Sequence, residues 1–128
     1  MDPIADLLTS IRNGYLAKKD EVTVKSSRLR LALVEILVRS GYLLAVEKIA
    51  GQPALLKLTL HYLPDGSPVL THIKKISKPG VRRYAAVSEI PSALSGAGIT
   101  IISTSAGLLS DKEARTKHLG GEVICQLW

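Results

Sequence analysis

Three small hydroxyl side chains in succession, Ser103-Thr104-Ser105, are followed by Ala106 and Gly107 and lie between two apolar runs, Ile99–Ile102 and Leu108–Leu109. Each hydroxyl donates one hydrogen bond and accepts others, and Gly107 lets the backbone bend or come close to a partner. A tip of this kind suits the reading of base edges and 2′-hydroxyls in RNA. Ser, Thr and Gly are also the ordinary residues of turns. On this segment alone both readings stand.

The distribution of charge points to a partner class. Formal net charge is +6 and the pI about 9.6. Between Gly66 and Ser88 the chain carries Lys74, Lys75, Lys78, Arg82 and Arg83 and no acidic residue. A second excess lies between Val22 and Ala50, where Lys25, Arg28, Arg30, Arg39 and Lys48 face only Glu35 and Glu47. Such clustering is the electrostatic footprint of a polyanion binder, because each neutralised phosphate releases condensed counterions. A basic face that serves solubility alone is the competing reading.

Enzymatic chemistry finds little support. His61, His72 and His118 have no metal-ligand spacing. Cys125 lies in an apolar strand-like segment without a nucleophile signature and reads as a small buried residue. Asp111 and Glu113 are better explained by the start of a helix than as an acid–base pair. Gly96-Ala97-Gly98 falls short of a dinucleotide fingerprint, and Ser77-Lys78-Pro79-Gly80 is not a nucleotide phosphate loop. No catalytic residue, metal or cofactor is expected. A serine hydrolase built on Ser105 lacks a paired base.

The elements that hold these residues follow from periodicity. With 128 residues and 46% hydrophobic content, the chain suffices for one domain or two small lobes. No apolar run reaches the roughly 18 residues of a membrane span, the start at Asp2-Pro3 has no secretory leader, and a lone cysteine suits a reducing cytosol. Ile4, Leu7, Leu8, Ile11 and Tyr15 form one helical stripe, with Asp2 as N-cap, Pro3 in the first turn and fraying at Asn13-Gly14. Thr9, Arg12 and Asn13 fall on the opposite face. Val22-Thr23-Val24 alternates as a strand. Ser26-Ser27 caps a helix to Arg39 with Leu29, Leu33, Ile36 and Leu37 on its stripe, widened by Leu31, Val34 and Val38. Residues 42–50 and 55–62 read as a hairpin around Gly51-Gln52-Pro53.

Leu63-Pro64-Asp65-Gly66-Ser67-Pro68 is the strongest punctuation and sets the expected lobes at 1–65 and 66–128. Beyond it, strands are expected over 69–76, 82–87, 99–102 and 122–128, with a helical turn or two in 90–94. A short helix over 110–118 opens with a Ser110/Glu113 capping box. The expected class is therefore α+β: an N-terminal α-β-α-β-β lobe and a mainly-β C-terminal lobe with a short helix.

Several segments together carry a resemblance. They are residues 2–13 (Asp-Pro-Ile-Ala-Asp-Leu-Leu-Thr-Ser-Ile-Arg-Asn), Ile76-Ser77-Lys78-Pro79-Gly80 with Arg82 and Tyr84, and Ile101-Ile102-Ser103-Thr104-Ser105. Asp111-Lys112-Glu113-Ala114-Arg115, Gly120-Gly121-Glu122-Val123-Ile124-Cys125 and Trp128 complete the set. In this order and spacing, over nearly the whole chain, they resemble the bacterial ribosomal protein family counted eighth in the small-subunit series. The resemblance implies a non-enzymatic constituent of the cytoplasmic ribosome that binds the central domain of small-subunit ribosomal RNA early in assembly. It also implies contact with neighbouring small-subunit proteins and repression of its own operon's message. The rival function is an RNA-binding regulator outside the ribosome.

For the site, the resemblance implies Ser103, Thr104, Ser105 and Gly107 as the main RNA contact, with Tyr84, Glu122 and the Ser77-Lys78-Pro79-Gly80 turn as neighbours. Lys74, Lys75, Lys78, Arg82 and Arg83 then position phosphates while the hydroxyls discriminate. Tyr84 either stacks on a base, a contact worth about 1–3 kcal/mol, or is a half-buried strand residue. Glu122 either accepts from a base amino group or the hydroxyl turn, or is a solvated strand end. Arg12, Asn13, Ser26, Ser27 and Arg28 form an expected secondary footprint, in which capping is the stronger role of the serines. The chain departs from the family pattern at Ala106, usually lysine, at Arg83, usually aliphatic, in the apolar Arg28–Leu33 segment and around His118-Leu119.

Overall fold

Apolar residues at three- and four-residue spacing commit the start of the chain to a helix that can bury one side. In the computed structural model, which describes residues 3–128, this is α1 (Pro3–Leu16), and it buries Ile4, Leu7, Leu8, Ile11 and Tyr15. Asp2, expected as its N-cap, lies outside the described residues. The expected fraying at Asn13-Gly14 is overturned. The helix continues to Leu16, and Ala17 N donates to Asn13 O at 3.0 Å. Gly14 is buried, and a Cβ there would stand 2.4 Å from Val22 Cγ2. The glycine is thus a packing device that lets α1 press against β1 (Glu21–Lys25).

Ser27 caps α2 (Arg28–Arg39): its hydroxyl accepts from Arg30 N at 3.1 Å, satisfying one of the helix's orphan donors. Leu33, Val34, Ile36 and Leu37 are buried. Leu29, expected on the same stripe, is 41% exposed, since it falls in the first turn, which the cap leaves at the surface. The hairpin of β2 (Leu43–Ile49) and β3 (Leu55–Leu60) forms as expected, and β3 is the central strand of an antiparallel sheet ordered β1-β3-β2. The Tyr15 hydroxyl donates to Tyr42 O and accepts from His61 N at 3.1 Å, tying α1 to both edges of the hairpin.

The chain divides into two compact units, one ending at Leu70 and the other beginning at Thr71. The second contains β4 (Ile73–Lys75), β5 (Tyr84–Ala85), β6 (Ile99–Thr104), β7 (Gly107–Ser110), α3 (Asp111–Thr116) and β8 (Gly121–Leu127). The sheet runs β4-β8-β6-β7, with β5 also paired to β8. Its core joins Ile90, Ile102, Leu109, Ala114 and Val123. The α+β class read from the sequence is the class of the structure.

Two strands are shorter than expected. The 69–76 strand contracts to Ile73–Lys75, because Thr71 and His72 both donate to Trp128 O at 2.8 Å and Ile76 and Ser77 both donate to Ile124 O. Two donors converging on one carbonyl end a ladder, which needs them to alternate. The 82–87 strand contracts to Tyr84–Ala85, since Val87 enters a 3-10 turn, Val87–Glu89. A second such turn, Ala93–Gly96, follows in place of the expected helical segment at 90–94. The capping box of α3 is present: Ser110 Oγ accepts from Glu113 N at 3.3 Å and Glu113 Oε1 accepts from Ser110 N at 3.0 Å. Asp111 has a different task. It is buried, accepts from Thr100 N at 3.3 Å and pairs with Arg115 at 3.2 Å. No described helix is long and apolar enough to cross a membrane.

Candidate nucleic-acid interface

The hydroxyl segment is not a loop but the end of a hairpin. Ser103 and Thr104 are the last residues of β6, Gly107 opens β7, and only Ser105 and Ala106 turn. Gly107 takes φ 99°, the left-handed backbone that a tight hairpin closure after two turn residues requires and that glycine adopts without steric cost. Thr104 supplies the brace: its hydroxyl accepts from Ala106 N at 3.1 Å and donates to Gly107 O at 2.8 Å. The three hydroxyls therefore separate by role. Thr104 holds the tip together, whereas no hydrogen bond among the described residues uses the hydroxyls of half-buried Ser103 or exposed Ser105.

Strand register brings distant residues into one row. Glu122 of β8 is the partner of Tyr84 on β5 and also of Ser103 on β6, so Tyr84, Glu122 and Ser103 lie side by side across three strands. Cross-strand partners have Cβ atoms about 4.5–5.5 Å apart and act on a common surface. The close approach depends on Gly120 and Gly121. A Cβ on Gly120 would fall 2.5 Å from Ala85 O, and one on Gly121 would fall 2.0 Å from Ser103 O. Both glycines escaped the list of expected site residues, although two adjacent glycines before a strand are a visible signal of close backbone contact.

Tyr84 is 73% exposed, so its ring is available to a flat partner and is not the half-buried strand tyrosine that was the alternative. Glu122 is not a solvated strand end. Its side chain is 19% exposed and its Oε2 pairs with Arg82 Nη1 at 3.2 Å, which offsets the acid that would otherwise repel phosphate.

The turn expected beside this row is built on Ser77, which is buried rather than presented to a partner. Its hydroxyl accepts from Arg83 N at 2.8 Å and donates to Arg83 O at 3.3 Å. Lys78 and Val81 exchange backbone hydrogen bonds of 3.0 and 2.9 Å around Pro79-Gly80, with Gly80 at φ 81°. Proline followed by a positive-φ glycine is the signature of a type II turn. Lys74, Lys75, Lys78 and Arg83 gather around one shallow depression with Ile76 and Val81, while Arg82 is directed to Glu122. Cys125, beneath this surface on β8, is fully buried, and burial pushes its thiol up to about 12. It is an inert core residue.

The secondary footprint is not one cluster. Arg12 and Asn13 are exposed near the end of α1, whereas Ser27 and Arg28 start α2 beside the beginning of α1, where Arg30 Nε donates to Pro3 O at 3.3 Å. Nine residues of helix separate Pro3 from Arg12, about 14 Å at the rise of 1.5 Å per residue. Ser27 is engaged as the cap, Ser26 N donates to Ala54 O at 2.9 Å, and Arg30 also donates to Lys25 O at 3.2 Å. Part of the second basic excess therefore serves the fold. Among the described residues no group of His, Cys, Asp or Glu is arranged to hold a metal ion.

The sequence model of the family described as Ribosomal protein S8 matches residues 2–128. The chain belongs to the ribosomal protein S8 family. Among similar proteins, the small ribosomal subunit protein uS8 of Caldanaerobacter subterraneus is 51% identical over 99% of this chain and 97% of that protein. Its counterpart from Lactobacillus delbrueckii is 48% identical over the same shares of both chains, and that from Clostridioides difficile is 47% identical. The resemblance read from the ordered motifs is thus a family membership, and S8 is a family of structural ribosomal proteins, not of enzymes. In this S8 chain the segments that carried the resemblance are the ones that build the row and its supports: Gly120-Gly121-Glu122, Ser103-Thr104-Ser105 and Ser77 with Tyr84.

Proposed function

We propose that the chain is a structural constituent of the small ribosomal subunit, resident in the cytoplasmic ribosome, that binds the central domain of small-subunit ribosomal RNA during assembly. The single observation that carries this reading is the Tyr84–Glu122–Ser103 row, flanked by the unengaged Ser105 hydroxyl at the hairpin tip. A regular RNA duplex hides its major groove and exposes 2′-hydroxyls and minor-groove edges, so recognition needs short donors and acceptors at close range. Ser103 and Ser105 are such groups, and they lose little side-chain entropy on binding. Tyr84 offers a stacking face for a base or ribose. Glu122 accepts from a base amino group, with Arg82 balancing its charge. Gly107, Lys74, Lys75, Lys78, Pro79, Arg82 and Arg83 complete the RNA surface, with the cations on phosphates. Thr104 and Ser77 act on RNA by shaping it, through the bonds that brace the tip and the turn.

The same surface serves two further roles in this reading. A messenger RNA that folds into a like element would compete for it, which makes the chain a repressor of its own operon. Neighbouring small-subunit proteins take faces outside the row, and Arg12, Asn13 and Arg28 add minor RNA contacts.

Chemical footprinting of small-subunit RNA with the purified chain tests the reading. Protection confined to the central domain, lost with Ser105→Ala at equal protein concentration, is the expected result. Uniform protection or none refutes it.

A further inference from the structure

Arg82 and Arg83 are adjacent in sequence and committed to different surroundings. Arg82 is paired with Glu122 at 3.2 Å, on the hydroxyl row. Arg83 lines an open depression of about 330 Å3 together with Lys74, Lys75, Ile76, Lys78 and Val81. Four cations and no carboxylate border this concavity. Like charges gathered on a concave surface raise the local potential and favour a multivalent anion over monovalent counterions. The frame is set before any ligand arrives: the buried Ser77 hydroxyl holds the backbone of Arg83 on both sides, and the Lys78–Val81 turn is closed by two hydrogen bonds.

We propose that this depression is a second RNA subsite, separate from the hydroxyl row, that holds consecutive phosphates of one strand irrespective of sequence. The four cations take the phosphate oxygens, and the apolar sides of Ile76 and Val81 suit the ribose faces between them. The row discriminates and the depression anchors. The proposal rests on RNA being the partner, as in the function proposed above, and goes beyond it by assigning the salt-dependent share of binding to one place.

The test compares the full chain with Lys78→Gln/Arg83→Gln and with Ser105→Ala. Three probes are titrated over a range of salt: a central-domain fragment of small-subunit RNA, an unrelated hairpin RNA of equal length, and sodium tripolyphosphate. Each phosphate contact contributes about 0.7–0.9 to the slope of log affinity against log salt, so the double variant should lose about 1.4–1.8 of slope on both RNAs. It should weaken both by the same factor, leaving their ratio unchanged, and should lose competition by tripolyphosphate. Ser105→Ala should lower affinity for the central-domain fragment alone. Lys74→Gln/Lys78→Gln must reproduce the slope change, which guards against a local folding defect in the first variant. An unchanged slope, or retained tripolyphosphate competition, overturns the subsite. If the parent chain prefers neither RNA while the double variant still loses slope and competition, the subsite stands and the ribosomal RNA reading fails.

Discussion

The hydroxyl of Ser77 closes on both backbone polar groups of Arg83, accepting from its N–H at 2.8 Å and donating to its carbonyl at 3.3 Å. The same carbonyl accepts from Val123 N at 2.8 Å, so one buried serine ties a basic surface turn to the strand that carries Glu122. Removing the hydroxyl leaves the Arg83 N–H without its acceptor. Ser77→Ala is expected to destabilise the chain by about 1–3 kcal/mol, the cost of a buried unsatisfied donor. Urea denaturation checks this, and a loss well under 1 kcal/mol counts against the clamp.

The two hydroxyls at the hairpin tip predict opposite phenotypes. Ser105→Ala removes a group with no internal partner among the described residues, so thermal stability should hold while affinity for central-domain RNA falls by about 0.5–1.5 kcal/mol, one net hydrogen bond. Thr104→Val keeps the shape and deletes the brace to Ala106 N and Gly107 O, so stability and binding should fall together. Calorimetric titration paired with a melting curve separates them. The same outcome for both variants would remove the distinction.

Gly121→Ala sets a Cβ 2.0 Å from Ser103 O, a backbone atom that cannot rotate away. The β6 and β8 backbones must separate, which should cost at least the roughly 1–3 kcal/mol typical of overpacking and displace Glu122 from Ser103. Backbone amide shifts confined to β6 and β8, with weakened RNA binding, are the expected signature. A variant with native shifts at Ser103 contradicts the register argument.

Alkaline stability has a defined contributor. Burial raises the Cys125 thiol from its ordinary 9.0 to about 12, so the folded chain keeps a proton that the unfolded chain releases. That contribution is fully present below pH 9 and is lost as pH rises toward 12, at up to about 1.4 kcal/mol per pH unit. Burial raises the Tyr15 hydroxyl above 10.0 as well and acts in the same direction at higher pH. Cys125→Ala should flatten the decline between pH 9 and 10, measured by urea midpoints, and the native thiol should resist a disulfide reagent at pH 8 until the chain unfolds. Rapid labelling of the folded chain would contradict its burial.

Much of the fold was legible because its signals are local. The stripe Ile4, Leu7, Leu8, Ile11, Tyr15, the Ser27 cap and the Ser110/Glu113 box each depend on residues three or four apart, which a helix brings together whatever lies around it. The misread elements depended on partners elsewhere. Gly14 looked like a helix stop because only Val22, on the next element, reveals it as a packing contact. Residues 69–72 looked like strand, but Thr71 and His72 both bond to Trp128 O and leave no ladder to join. The candidate site was read in the same uneven way: the residue types were correct for RNA, whereas the sorting of Thr104 and Ser77 into supports required hydrogen bonds that no spacing encodes.

By itself the sequence determined the element types, the concentration of cations between Lys74 and Arg83, and, through ordered motifs along nearly the whole chain, the family. Periodicity, composition and motif order are properties of contiguous residues and need no tertiary contact to be read. Tertiary structure alone decided that Tyr84, Glu122 and Ser103 share a row, and that neighbouring Arg82 and Arg83 serve separate surfaces. Those outcomes follow from strand register, which long-range pairing and the close approach at Gly120 and Gly121 determine, and a slip of one residue would have turned every side chain of the row to the opposite face.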